Sequence, residues 1–305
     1  MRFLLVLACF LITNATLAQS IQFAFEGDSA TVPFVRDSLR GISGLEMVPA
    51  TGELHFVSDR GWHYVFNNIR TIHDLSNNTN LKRAEKTPFW FESVRYHPQT
   101  NTYFWTDEHE FVTSLLASKM LGDSAAKVLL RIPLPGPNKG LEAIAVTPAG
   151  ALWMAPEAGW ESETDMNQDS ITFFRYVNPL AADPVVERFR YPMNRCPFAQ
   201  GEERPNGISE IVAVDDDRLL VLERCYDASH RQVTARLYVA TMDVANHTLR
   251  RELAFDFNQQ FPGVVCNLEA MTWTDDTKQS LVLMADDNFR RNRTLRNQVI
   301  VLRRR

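Results

Sequence analysis

One form recurs along this chain about every fifty residues, and that recurrence restricts the fold more than any single residue does. Each copy starts at a polar or acidic residue, runs through a short apolar strand, turns at Pro, Gly or Asp, and returns along a second apolar strand to another acidic residue. The copies are GISGLEMVPATGELHFVSDRG at 41–61, FESVRYHPQTNTYFWTDEHE at 91–110, GLEAIAVTPAGALWMAPEAG at 140–159, GISEIVAVDDDRLLVLERC at 207–225 and NLEAMTWTDDTKQSLVLMADDN at 267–288. Taking Gly44, Glu92, Glu142, Glu210 and Glu269 as equivalent points, the spacings are 48, 50, 68 and 59 residues. Thr51-Gly52, Pro98-Gln99, Ala149-Gly150, Asp215-Asp216 and Asp275-Asp276 suit tight hairpin turns.

Behind these pairs lie weaker strand signals at 64–66, 111–116, 128–132, 171–177, 185–191, 236–241, 248–255 and 298–302. No long amphipathic helix pattern interrupts them, which argues against a layered α/β fold. A four-stranded unit repeated at this period predicts an all-β propeller. Five repeats are countable, and the long stretches 160–206 and 226–265 leave room for a sixth. An open ring would leave strand edges unpaired, so Ser20–Phe25 is expected to complete the last blade beside Gln298–Leu302. A large β-sandwich is the competing architecture, but it does not require the repeat.

The first 18 residues stand apart. Arg2, an apolar run from Phe3 to Ile12, and Ala15-Thr16-Leu17-Ala18 read as a signal peptide. The run is too short to span a bilayer, which takes about 20 apolar residues. The expected mature chain, 19–305, is one secreted or periplasmic domain, and a monomer. Its formal charge, −5 for the whole chain, becomes −6 without Arg2 and offers nothing to a nucleic-acid backbone. Cys196, Cys225 and Cys266 remain. Cys196–Cys225 is the preferred disulfide, since both can reach one face of the fourth repeat; Cys225–Cys266 is the rival.

In a propeller, the start of each first strand and the end of each second strand lie at the same mouth. The inner positions are then Glu92, Glu142, Glu210 and Glu269, with Gly44 in the first repeat. The outer ones are Asp59, Asp107, Glu157, Glu223 and Asp286, with Glu108 and Asp287 adjacent. Carboxylates converging on one axis repel unless protons, basic groups or a cation intervene. Calcium, which takes oxygen ligands in irregular geometry, is one expected answer, with Glu142, Glu210, Glu269, Glu92, Asp59, Asp286 and Asn288 as candidate ligands. Arg60, Arg224 and Arg290 are candidates to hold a small ester or phosphate ligand. Glu157, Glu223 and His109 are candidate acids or bases. The plainer alternative is that the glutamates cap strands at blade junctions.

The strings ending in SDRG and ADDN, with the Glu-Ala strand starts between them, resemble the hallmark segments of the phytase-like family, described by its esterase-like activity. The resemblance spans approximately 37–302. It implies a propeller-type, metal-dependent hydrolase of phosphate or carboxylic esters. By similarity its site residues are Asp59 with Arg60, Glu142, Glu157, Glu210, Glu223, Glu269, Asp286, Asp287 and Asn288. Thr106-Asp107-Glu108 and Leu222-Glu223-Arg224 depart from the pattern. A non-catalytic propeller that binds a small molecule, glycan or protein around a structural cation is the second function class.

Overall fold

Alternating apolar residues bounded by tight turns make each repeat an antiparallel hairpin that cannot bury both faces alone, so neighbouring hairpins must stack. The computed structural model, which describes residues 20–31, 40–69, 71, 74–75, 77, 79–109, 111–134, 140–158, 170–193, 196, 206–227, 232–262, 265–287 and 297–305, shows how they do so.

The chain opens with β1 (Phe23–Thr31), which is held over for the last blade. The first blade is β2 (Ile42–Val48), β3 (Glu53–Ser58), β4 (Trp62–Phe66) and β5 (Leu81–Lys86). The second is β6 (Phe91–His97), β7 (Thr102–His109), β8 (Val112–Ser118) and β9 (Lys127–Pro133). The third is β10 (Leu141–Val146), β11 (Leu152–Pro156), β12 (Ser170–Tyr176) and β13 (Val186–Pro192). The fourth is β14 (Gly207–Ala213), β15 (Arg218–Asp227), β16 (Gln232–Asp243) and β17 (Thr248–Asp256). A single turn of helix, α1 (Phe257–Gln260), follows, capped by the Asp256 side chain. The fifth blade is β18 (Asn267–Trp273), β19 (Ser280–Asp286) and β20 (Gln298–Arg304), completed by β1.

Among the described residues the ring therefore has five blades. Its inner strands are neighbours in the cycle β2, β6, β10, β14, β18 and back to β2. β1 pairs antiparallel with β20 from Phe23↔Arg304 to Thr31↔Gln298, so the strand beginning near the chain's start closes the ring. The outer edges of the third and fourth blades also touch, where β13 meets β17 in parallel at Arg190↔Thr248. Of the outer strands, β5 gives little sequence signal, because LKRAEK is charged and only partly buried. Such charges blunt an exposed sheet edge. Among the described residues no helix is long and apolar enough to cross a membrane.

The core is divided in the same way as the ring. Separate apolar clusters fill the contacts between successive blades. Val57, for example, packs with Val94, Trp105 and Leu116 between the first and second. Ile42 and Phe56 pack with Ala270, Met284 and Val299 between the first and fifth. Trp105 and Trp153 are almost fully buried. Burying a large apolar side chain contributes roughly 1.5–3 kcal/mol, so blade-to-blade stacking supplies the main cohesion.

Cys196 and Cys225 are bridged, with Cα atoms 5.6 Å apart, while Cys266 is buried elsewhere and donates its backbone N–H to Gln298. Closing a loop across 29 residues of sequence restricts the unfolded chain by about 3.6 kcal/mol. The double variant C196S/C225S should lose that amount in denaturant unfolding. A loss under about 1 kcal/mol would show that the bridge contributes little.

Candidate functional site

The phase of each blade at its upper mouth is set by a β-bulge. Across all five hairpins the register slips by one residue just inside the first strand. Bulges commonly re-aim side chains beside functional sites. The buried residues before the slip, Ile42, Phe91, Leu141, Ile208 and Leu268, are equivalent and shielded from solvent. The next residue in each blade is Ser43, Glu92, Glu142, Ser209 and Glu269. Glu210 falls one step further in, at the level of Gly44, Ser93, Ala143 and Ala270. Aligning it with Glu142 is corrected by the pairing of Ile208 with Glu223 and Glu210 with Leu222.

The returning strands need the same one-residue correction. The residues opposite the strand starts are Asp59, Glu108, Glu157, Arg224 and Asp286. The pairings that fix them are Asp59 N–H to Gly41 C=O, Glu108 N–H to Trp90 C=O and Glu157 N–H to Gly140 C=O, with Gly207↔Arg224 and Asn267↔Asp286. Asp107 and Glu223 lie one step short of this ring. The blades approach closely here: a Cβ on Gly140 would sit 1.9 Å from a Glu108 carboxylate oxygen, and one on Gly207 would sit 3.0 Å from Glu157 Cγ.

The result is a concentration of acid around Arg224. Glu92 is pushed well above the usual carboxylate range by burial, then by Glu142, Glu108, Asp59 and Glu269. Burial, then Glu157, Glu108 and Glu269, raise Glu142 likewise, while Arg224 opposes the shift. Glu269 is raised by burial and held back by Arg224, whose Nη1 stands 3.0 Å from Glu269 Oε1. Asn267 donates to the same Glu269 oxygen at 2.6 Å and accepts from Arg224. Arg224 also reaches toward Glu157 at 3.9 Å. This arginine, in the place where other blades carry Asp or Glu, is the group around which the acids are arranged.

Other expected site residues are placed differently. Glu223 is fully buried, accepting from Tyr191 at 2.8 Å, from Asn206 at 3.1 Å and from Arg251. Asp107 accepts the Trp90 backbone N–H at 2.7 Å and lies 3.2 Å from His109, whose ring packs on Trp90. Arg60 is exposed in the turn after Asp59, its backbone N–H bonded to Ser58. Asn288 and Arg290 lie outside the described residues. Asp287 is buried, with Arg40 3.9 Å away.

Below the acidic mouth, Glu210 helps to plug the channel. Arg95 bonds Glu210 at 2.9 Å and the carbonyls of Leu45, Val94 and Ile211, with Glu46 3.7 Å away. Ser93 donates to Glu210, and Thr272 to Glu46. Burial raises Glu210 to about 8 and Glu46 to about 7, against the pull of Arg95. Nothing in a repeat-by-repeat reading marks Arg95 or Glu46, since they occupy the same strand position in different blades.

Oxygen donors of this kind suit a hard cation. As placed, however, no three His, Cys, Asp or Glu side chains among the described residues converge on one point as a metal cage.

Fold and site together define a five-bladed propeller with an acidic, arginine-centred mouth. Residues 37–289 match the phytase-like family, "Esterase-like activity of phytase", and the chain belongs to that family. No curated protein matches the chain. Solved structures that it is similar to include the endo-arabinase from Bacteroides thetaiotaomicron VPI-5482, at 16% identity and a TM-score of 0.49, covering 92% of this chain and 96% of that one. The RRP9 WD40 repeats are similar at 10% identity and 0.47, covering 93% and 100%. U3-55K is similar at 13% identity and 0.41, covering 86% and 67%.

Proposed function

We propose that the upper mouth hydrolyses phosphate or carboxylic esters with the help of a calcium ion. The observation that carries this reading is the accumulation of Glu142, Glu157, Glu269 and Asp286 around Arg224, with Glu92, Glu108 and Asp59 beside them. Family membership supports a hydrolase-type function, and the donor chemistry supports a hard cation. To hold it, Glu92 and Glu269, with Asp59 and Asp286 behind them, would have to close on one point from their positions here, leaving Glu142 outside its ligands. When bound, such a cation offsets the acids' repulsion and polarises an ester oxygen or a water.

The remaining chemistry belongs to the chain. Arg224, held by Glu269 and Asn267, presents its guanidinium to the charge that develops on an ester oxygen. Glu142, a carboxyl that burial and its neighbours keep readily protonated, passes a proton to the leaving oxygen or takes one from water. Arg60, exposed in the turn after Asp59, would meet an anionic substituent at the rim. Glu223 is committed to Tyr191, Asn206 and Arg251, so its part is to position the fourth blade. The same reading places the protein outside the cytosol as a monomer, where a Cys196–Cys225 bridge persists.

Hydrolysis of p-nitrophenyl phosphate and p-nitrophenyl acetate, with calcium and with chelator, tests the proposal. Calcium should support turnover of at least one ester, and E142Q should lower it by about a hundredfold. At a hundredfold excess over its dissociation constant, calcium should also stabilise the fold by about 2.7 kcal/mol. Stabilisation without turnover would instead favour a non-catalytic binding propeller. Neither effect at millimolar calcium would remove the cation from the reading.

A further inference from the structure

The opposite mouth of the channel, at the hairpin ends of the inner strands, contains a cavity of about 340 Å³ lined from all five blades. Pro49, Pro98 and Pro148, from the turns of the first three, wall it together with Trp273 of the fifth. Trp273 is fixed by an Nε1–H bond to the Ala213 carbonyl at 2.9 Å. Arg95 lies at the floor, but its terminal nitrogens are spent in the plug and its Nε is shielded, so it offers a ligand nothing.

Lys278 is the unusual residue here. In four blades the turn between the first and second strands contains one left-handed residue: Gly52 at φ +66°, Asn101 at +48°, Gly150 at +89° and Lys278 at +53°. Glycine and asparagine tolerate that conformation, whereas a lysine in it is strained. Strain kept in one blade and avoided in its sisters points to a use for the side chain. The Lys278 ammonium crosses to the fourth blade, donates one N–H to the Val214 carbonyl at 2.8 Å, and lines the cavity with two donors left.

The polar groups around that ammonium are acids. Glu46, Asp275 and Asp276 line the same cavity, and Asp275 is already bonded by Thr277. These acids outnumber the ammonium, so an organic anion is repelled. The ammonium in turn opposes a cation. A purely apolar guest would strip water from Lys278 and the acids and return no hydrogen bond. A neutral ring with several hydroxyls meets all three constraints, because it accepts from Lys278, donates to carboxyl oxygens and lays C–H groups on the proline and tryptophan wall.

We propose that this lower mouth binds one neutral sugar ring, free or at the end of a glycan, with its hydroxyls bonded to Lys278 and Asp276 and its C–H groups against Trp273 and the three prolines. The volume is at the small end for ligand pockets, which run to roughly 300–1,000 Å³, and suits a single ring. The plug separates this site from the acidic mouth, so the inference stands apart from ester hydrolysis.

NMR titration of the full chain with the methyl glycosides of glucose, mannose, galactose and xylose tests it. At least one should bind with a dissociation constant of about 5 mM or tighter. Benzoate, an anion, and cyclohexylmethanol, a ring with a single hydroxyl, should each bind at least about tenfold more weakly. K278N should fold, since Asn101 holds the same conformation in the second blade. It should melt at the parent's temperature or above, and weaken the sugar about tenfold. E142Q in the upper mouth should leave the affinity unchanged. A trisaccharide ending in the preferred unit separates the two sources: affinity equal to the glycoside's supports a glycan end, and affinity about tenfold lower supports a free sugar. The proposal is overturned by silence from every glycoside up to about 50 mM, by equal affinity for benzoate or cyclohexylmethanol, or by undiminished affinity in K278N. Loss of binding in E142Q would place the sugar at the other mouth and overturn it equally.

Discussion

Replacing Arg95 by methionine should lower the unfolding free energy by about 3–5 kcal/mol, the usual cost of removing one partner from a buried charged network. Arg95 ties together three blades. It bonds the Leu45 carbonyl of the first at 3.1 Å, the Val94 carbonyl of its own at 2.5 Å, and the Ile211 carbonyl and Glu210 carboxylate of the fourth at 2.6 and 2.9 Å. Without it, those carbonyls and the Glu210 carboxyl, which has no exposed surface, all lose a donor. Methionine replaces the apolar stem but is shorter and cannot donate. The double variant R95M/E210M removes both polar partners and should recover part of the loss, because a matched apolar pair costs less than an orphaned carboxyl. The measurement is a double-mutant cycle by urea unfolding. A single-variant loss under about 1 kcal/mol, or strict additivity, would show that the plug does not hold the ring together.

The architecture was legible because it rests on a repeated pattern. Hairpin turns, paired apolar strands and terminal closure all follow from alternation and from the need to pair edges. The phase at the mouth was harder to read. In GISE and LER, shifting by one residue exchanges Ser209 for Glu210 and Arg224 for Glu223, and matching acid to acid selects the wrong member of each pair. A better marker was present: Gly41, Gly140 and Gly207 stand at the same step of their blades. The crowding at Gly140 and Gly207 shows why a small residue belongs there. Aligned on these glycines, Arg224 falls among the acids and Glu210 drops into the channel. Arg95, Glu46 and Lys278 carry no comparable signal. They differ from the residues at their own level in other blades, and only closure of the ring brings them together.

Acid should unfold the protein through two histidines in the first blade, by up to on the order of 10 kcal/mol between about pH 6.5 and pH 3. His55 and His63 are stacked, with ring centroids 5.2 Å apart, and shielded from solvent. His55 Nδ1 lies 3.1 Å from His63 Nε2, His63 Nδ1 lies 3.2 Å from Glu85, and the Tyr103 hydroxyl lies 3.4 Å from His55 Nε2. One tautomer satisfies the chain: Tyr103 donates to His55, His55 to His63, and His63 to Glu85. A further proton on His63 would meet the His55 N–H already in place, while one on His55 would face Glu53, 3.6 Å away, which offsets only part of the cost of burial. Burial, then the neighbouring histidine, lowers His55 to about 3; burial, then Arg83, lowers His63 to about 3. Both folded values lie below the unfolded one, so this stabilisation is present above about pH 6.5 and is lost as pH falls toward 3. Glu46 and Glu210 run the other way. Their raised values give stability that is complete below the ordinary carboxylate range and is lost as pH rises through about 7 and 8. The two effects oppose each other between about pH 4.5 and 6.5, so the parent curve alone does not isolate the histidines. Urea midpoints across this range should therefore be compared with those of H55L/H63F, in which the carboxylate contribution cancels. The variant should gain on the parent by up to about 2.7 kcal/mol per pH unit below 6.5, about 1.4 for each histidine. Parallel curves for the two proteins would mean that the histidines accept protons in the folded state as readily as in the unfolded chain, and that the buried relay is not the acid-sensitive element.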